Sequence, residues 1–191
     1  EQDRQVLPMM ELTMHNLIAD GHINEKDFLA RVETLTSMGL HVLISNFFLF
    51  YGLKRFLRRY NSHFMALVVG ASHLEKLFNE DHYEKLEGGL LEGLGKLLEN
   101  KTKLYIYPHK TSMLCLTTKS FFPPERYHHI YSHFTENKQI VDISGCDETD
   151  EYLHSIDVMK MIEAGDENWK NLVPEKVRDL IIAGKLFGYK K

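Results

Sequence analysis

The chain reads as an α/β protein whose mostly parallel sheet carries helices on both faces, three layers in all. Three observations predict this. Short apolar runs recur as "VLPMMELT", "LHVLISN", "FMALVVG" and "KLYIYP", each ending in or followed by polar residues or glycine. Between them lie segments with apolar residues at i, i+3 and i+4, the period of a helix packed on one side. Strands alternating with helices of that length imply βαβ crossovers, which place the strands parallel.

Each element can be justified in order. Val6 to Thr13 is short and apolar, and Pro8 moves it toward an edge or a strand entry. Asn24 then precedes "EKDFLARVETLTSMG", where Phe28, Val32, Leu35 and Met38 fall at helical spacing and Gly39 is the stop. "LHVLISN" is the next strand. Phe50, Leu53, Phe56, Leu57 and Tyr60 mark a second helix, expected to begin near Phe47. "FMALVVG" ends at Gly70, after which Ser72 and Glu75 have the spacing of a capping box. "HYEKLEGGLLEGLGKLLENK" predicts one helix lined by leucines, leading into "KLYIYP". Beyond Pro108, "MLCLTT" predicts a strand, "PPERYHHIYSHFTEN" a helix opened by its prolines, and "QIVDISG" a last short strand. The end of the chain is acidic from Asp147, then helical around "SIDVMKMIEAG" and "PEKVRDLIIAG". The expected division is an α/β core over residues 1–146 and a C-terminal helical extension, 147–191, packed on the same domain.

At 191 residues the chain can bury one sizeable core. A formal charge of −4 argues against a nucleic-acid coat, which needs a net basic surface. Only Cys115 and Cys146 are present, without paired spacing, which points to a reducing compartment and a cytoplasmic protein and gives no support for a disulfide framework or a cysteine zinc site. No apolar run reaches the roughly 20 residues needed to span a bilayer, so no membrane partner is expected. The start at Glu1, without Met, predicts a piece of a longer protein.

In an open parallel sheet, ligands sit beyond the carboxyl ends of the strands. The residues falling there are Glu11 and Thr13, Ser45 and Asn46, Gly70 followed by Ser72 and His73, and His109 with Lys110. Ser45-Asn46 has two compatible readings, a polar mouth of a site or a cap for the following helix, whose free N–H groups would favour a phosphate. Lys54, Arg55, Arg58 and Arg59 share the face of that helix opposite the apolar one. They predict either a solvated face or a dock for an acidic or phosphate-bearing partner.

"EGGLLEGLG", Glu87 to Gly95, carries four glycines that cost about 3 to 4 kcal/mol of helix propensity. Close packing of another element near Gly89 and Gly93 is the favoured compensation, and an anion cradle at Gly88-Gly89 is the rival. Neither a phosphate loop nor G-x-G-x-x-G is present. Among eleven histidines, His129 and His133 are i, i+4, but no H-E-x-x-H exists and no metal is expected. His73 is the better acid/base candidate. Ser45, His73 and Glu11 would compose a triad on paper only, since no G-x-S-x-G elbow is present.

The segments "LTMHNLI", "DFLARVETL", "VLISNFFLFYGL", "EGGLLEGLGKLL", "KLYIYP" and "AGDENWKNLVPEKV" resemble the C-terminal portion of a longer bacterial family. Its members are labelled nicotinate (nicotinic acid) mononucleotide adenylyltransferase or TonB-dependent receptor. The H-x-G-H and S-T-x-x-R motifs of such adenylyltransferases do not occur here. The resemblance implies that any nucleotide-handling motif of that kind lies N-terminal to these residues. "VLISN" is also similar to the second motif of the haloacid-dehalogenase-like fold, a Ser or Thr at a strand end. That fold's first motif needs two aspartates where "MELTM" offers Glu11 and Thr13, which implies binding rather than phosphoryl transfer.

The expected function is therefore a ligand-binding α/β domain of a larger cytoplasmic protein, Rossmann-like or haloacid-dehalogenase-like in its layers. It would take a phosphate-bearing small molecule or nucleotide, with Mg2+ as the companion ion of a nucleotide. Glu11, Ser45, Asn46 and Gly70 would line the mouth and Arg58 would contact the anion. The alternatives are an assembly domain mating with other domains or a second copy, or part of a nucleotidyl- or phosphoryl-transfer enzyme.

Overall fold

Pro8 has no N–H to give to a ladder, and in the computed structural model the first strand starts directly after it, at Met9. The structure describes residues 6–14, 18–19, 22–23, 25–99, 101–110, 113–146 and 155–190. The strands are β1 (Met9–Thr13), β2 (Ile18–Ala19), β3 (His22–Ile23), β4 (His41–Ser45), β5 (Met65–Gly70), β6 (Thr102–Tyr107), β7 (His109–Lys110), β8 (Cys115–Leu116) and β9 (Ile140–Asp142). The helices are α1 (Glu25–Ser37), α2 (Phe50–Leu57), α3 (His73–Leu77), α4 (Gly89–Leu98), α5 (His128–Glu136), α6 (Ser155–Ala164) and α7 (Glu175–Gly184). The class is mixed α/β with parallel pairing, as the alternation predicts.

The chain forms two units, one from residues 1–48 with 153–191 and one from 49–152. This cut differs from a division at residue 146, because the C-terminal helices group with the first strands. In unit 1, β1 and β4 pair in parallel, Thr13 opposite Ser45, and α1 packs on α7. Its apolar cluster is Val158, Ile162, Trp169, Val177, Ile181 and Tyr189. Helix α1 stops where expected, with Gly39 at φ +78°, a left-handed conformation that suits glycine. The Asn24 cap falls outside the described residues.

In unit 2 the parallel sheet has the order β5-β6-β9, with α4 between the first two strands in sequence and α5 before the third. Leu104 and Ile106 of the central strand are fully buried and join the leucines of α4 and the rings of Phe78, Phe121 and Tyr131 in one cluster.

Several expectations need correction here. The long leucine helix is shorter at its start: a 3-10 turn covers Glu80–Tyr83 and α4 begins only at Gly89, whose φ of +55° breaks the path. Helix α2 begins at Phe50 with Leu49 as its N-cap, not near Phe47. Ser72 makes no capping bond, because its own backbone is already helical (φ −61°, ψ −18°), and the cap geometry needs extended backbone there. "MLCLTT" yields only the two residues of β8, antiparallel to β7.

The reading of the cysteines is also corrected. Cys115 and Cys146 form a disulfide, Cα atoms 6.1 Å apart across 31 positions. The topology supplies the pairing that spacing hid: Cys115 lies in the hairpin after β6, and Cys146 follows β9, which pairs with β6. The cysteines therefore give no support to a reducing compartment. Among the described residues no helix is long and apolar enough to cross a membrane.

Candidate functional site

Parallel pairing of β1 and β4 brings two polar side chains to one strand end. Alternation along β1 puts Glu11 and Thr13 on the same side of the strand, and the register sets Thr13 beside Ser45. Ser45, only 8% exposed, donates its Oγ–H to Glu11 Oε1 at 2.5 Å. The same oxygen accepts the Phe47 N–H at 3.3 Å, a turn that holds Asn46 between them. Thr13 Oγ1 donates to the Phe47 carbonyl at 3.3 Å. Ser45 thus serves its own strand end and Glu11 instead of capping α2. A carboxylate (Glu11) and two hydroxyls (Thr13 and Ser45) meet at the ends of two adjacent strands, with the amide-bearing Asn46 directly after the second, a set suited to hydrogen-bonding a polyhydroxylated or phosphate-bearing molecule.

The other expected site residues belong to unit 2. Gly70 closes β5, and a Cβ there would meet nothing nearer than the His73 Nδ1 at 3.7 Å, so no close approach demands the glycine. Arg58 is occupied as a clamp. Its guanidinium donates to the carbonyls of Asn61 (3.2 Å) and His63 and to Thr102 Oγ1 (2.9 Å), fastening the loop before β5 to the start of β6. His73 is half-buried beside the Phe50 ring; burial first, then the Lys76 ammonium, hold its imidazole below the ordinary value, against a smaller opposite effect of the Gly70 carbonyl. A neutral imidazole at pH 7 suits a proton acceptor. No group of three His, Cys, Asp or Glu side chains able to hold a metal occurs among the described residues.

The basic face of α2 is not simply solvated. Lys54 is 2% exposed, and its Nζ donates to the Lys96 carbonyl at 2.6 Å and to Glu99 at 3.1 Å, ending α4 with a positive charge where the helix dipole favours one. Only Arg55 and Arg59 of the four basic residues are exposed. The glycine stretch behaves as close packing predicts at Gly93, where a Cβ would lie 2.3 Å from the Tyr83 ring. The anion cradle does not form, because Glu92 takes the Gly88 N–H at 2.8 Å. Hydrogen bonding to Lys96 and then to that N–H holds the Glu92 carboxyl below the usual carboxylate range.

Sequence reasoning missed two features. Asp142, at the end of β9, accepts the Thr118 N–H at 2.9 Å and its hydroxyl at 2.7 Å; the only signal was an acid ending an apolar run. A hollow of about 560 Å3 in unit 2 is lined by Glu75, Glu80 and Asp81 with Phe78, Phe121 and Phe122, residues from two distant stretches that no spacing connects. No protein-family model, curated protein or solved structure matches the chain, so its site is read from its own geometry.

Proposed function

We propose that the carboxyl end of the β1–β4 pair binds a phosphate-bearing small molecule or nucleotide, with Glu11, Ser45 and Asn46 as its contacts. The observation that carries this reading is the Ser45–Glu11 bond of 2.5 Å, which gathers a hydroxyl and a carboxylate from neighbouring parallel strands at the edge where such sheets take ligands. A carboxylate at that position accepts ribose hydroxyls, held in place by the Ser45 hydroxyl that donates to it, and the Asn46 amide is the group of this set whose N–H can turn to a phosphate oxygen. Under the haloacid-dehalogenase-like reading, Glu11 and Thr13 would stand in for the two aspartates of that fold's first motif. A site so altered binds without accepting a phosphoryl group. Arg58 is dropped as an anion contact, since its donors hold the fold together.

Glu11 is the one carboxylate of this strand end, too few donors for a dedicated protein cage, so no step of the proposal runs through a metal. A nucleotide would bring Mg2+ held chiefly by its own phosphates. The assembly alternative loses two supports, because Lys54 and Arg58 are engaged within unit 2 and Gly93 is filled by Tyr83.

Thermal unfolding against mononucleotides, pyridine nucleotides, sugar phosphates and inorganic phosphate, with and without magnesium, tests the proposal. A binder at a hundred times its dissociation constant stabilises by about 2.7 kcal/mol, and the shift should vanish in Ser45→Ala and Glu11→Gln. No shift from a folded sample, or an equal shift in both variants, would overturn the reading.

A further inference from the structure

The hollow of unit 2 combines an aromatic floor with acidic walls. Phe78 and Phe121 are 2% and 7% exposed, their ring centroids 5.7 Å apart, so the floor is fixed by the core. Asn79 Oδ1 accepts the Asp81 N–H at 3.1 Å, and this turn sets Glu80 and Asp81 side by side on the wall. Glu75 completes it from α3. Phe122, 80% exposed, leaves a whole ring to solvent at the rim. None of Glu11, Ser45, Asn46, Gly70 or Arg58 lines the hollow.

The chain itself shows what chemistry this lining attracts. Arg126 pairs with Glu80, and its guanidinium carbon lies 4.8 Å above the Tyr127 ring. A carboxylate and an aromatic face thus already hold one guanidinium beside the hollow, which is how organic cations are bound elsewhere. Glu80 is partly neutralised by that contact; Glu75 and Asp81 bring further negative charge to the space itself, in a chain of net charge −4.

We propose that this hollow is a second binding site, one that receives an arginine or lysine side chain from a basic segment of a partner protein. Charge complementarity selects the cation, and the Phe78–Phe121 floor favours a cation carrying an apolar stem, which both side chains have. The exposed Phe122 ring adds a surface for the apolar neighbour of that residue, a contact that a free polyamine would leave unused. The volume, about 560 Å3, suits one or two side chains rather than a folded domain.

The test is fluorescence anisotropy of a labelled peptide alternating Arg and Leu, with a Glu-Leu peptide as its counterpart, titrated with the whole chain. Saturable binding of the basic peptide alone is expected, weakening as salt rises. Asp81→Asn and Glu75→Gln should each weaken it about three-fold and together about ten-fold, as exposed charge pairs do. Phe122→Ala should weaken it as well, whereas Glu136→Gln, an exposed acid of α5, should leave it unchanged; circular dichroism confirms that each variant is folded. Equal affinity in the double variant and the wild type, no binding up to about 1 mM peptide, the weak end of specific recognition, or displacement by spermidine as effective as by unlabelled peptide would each overturn the proposal.

Discussion

The two units of this chain put polar side chains to opposite uses. Unit 2 draws its apolar cluster from one continuous stretch, Ala71 to Ile140, and uses its inward polar groups as fasteners: Lys54 ends α4, Arg58 ties a loop to β6, Asp142 grips Thr118, and Tyr131 donates to the Thr118 carbonyl at 2.6 Å. Unit 1 joins two stretches separated by residues 49–152, and its cluster lies entirely within Val158 to Tyr189. Its strand end, by contrast, collects Glu11, Ser45 and Thr13, none of them a member of that cluster. Polar groups consumed by a fold are poor ligand contacts; at the strand end Ser45 is buried, but Glu11 and Thr13 are half-buried and Asn46 is exposed. The comparison therefore favours unit 1 for a polar small molecule, and leaves unit 2 its hollow.

Removing the disulfide is the largest test. Replacing both cysteines with serine should destabilise unit 2 by about 3 to 4 kcal/mol on chain entropy for a loop of 31 residues, read as faster amide exchange in β6. Ile181→Ala strikes the other cluster, where Ile181 is 2% exposed, and should cost about 3 kcal/mol. Trp169, the one tryptophan of the chain and 1% exposed, reports that loss by fluorescence during urea unfolding. A loss of equal size in the exchange of β6 would break the distinction between the units.

Gly93→Ala is a smaller perturbation. The added methyl meets a Tyr83 ring that is 2% exposed and anchored to the Leu77 carbonyl, so overpacking should exceed the gain in helix propensity by about 1 to 2 kcal/mol. A stabilised variant would show that the ring can yield. The smallest effect is that of pH. His73 has a folded pKa below its unfolded value of 6.5, so the native state binds fewer protons, and its contribution is present above that value and lost as pH falls. Urea midpoints between about pH 8 and pH 5 should drop more in the wild type than in His73→Gln.

Most elements were legible because each rests on local patterning. Pro8 announced where β1 starts, Gly39 where α1 stops, and the leucines of α4 where the core lies. The Ser45 region was legible as a polar strand end with two readings, and the capping one fails because the helix starts later, at a Leu49 N-cap, while the partner of Ser45, Glu11, sits 34 positions away. Lys54 looked like surface on a helix wheel; only the three-dimensional packing of α2 against α4 brings its ammonium onto the last turn of that helix. The disulfide was hidden for a related reason, as its closeness is created by the pairing of β6 with β9. The hollow joins Glu75 to Asp81 with Phe121 and Phe122, and no period in a sequence encodes such a meeting.

The burial of Lys54 also bears on how the protein would respond to chemical labelling. An amine-reactive reagent needs a solvated, neutral amine, and Lys54 is the one buried lysine among the described residues, its ammonium held by a carbonyl and a carboxylate. It should be the last of these lysines to be acylated in the native state. Its first appearance in a peptide map would time the moment at which α2 parts from α4.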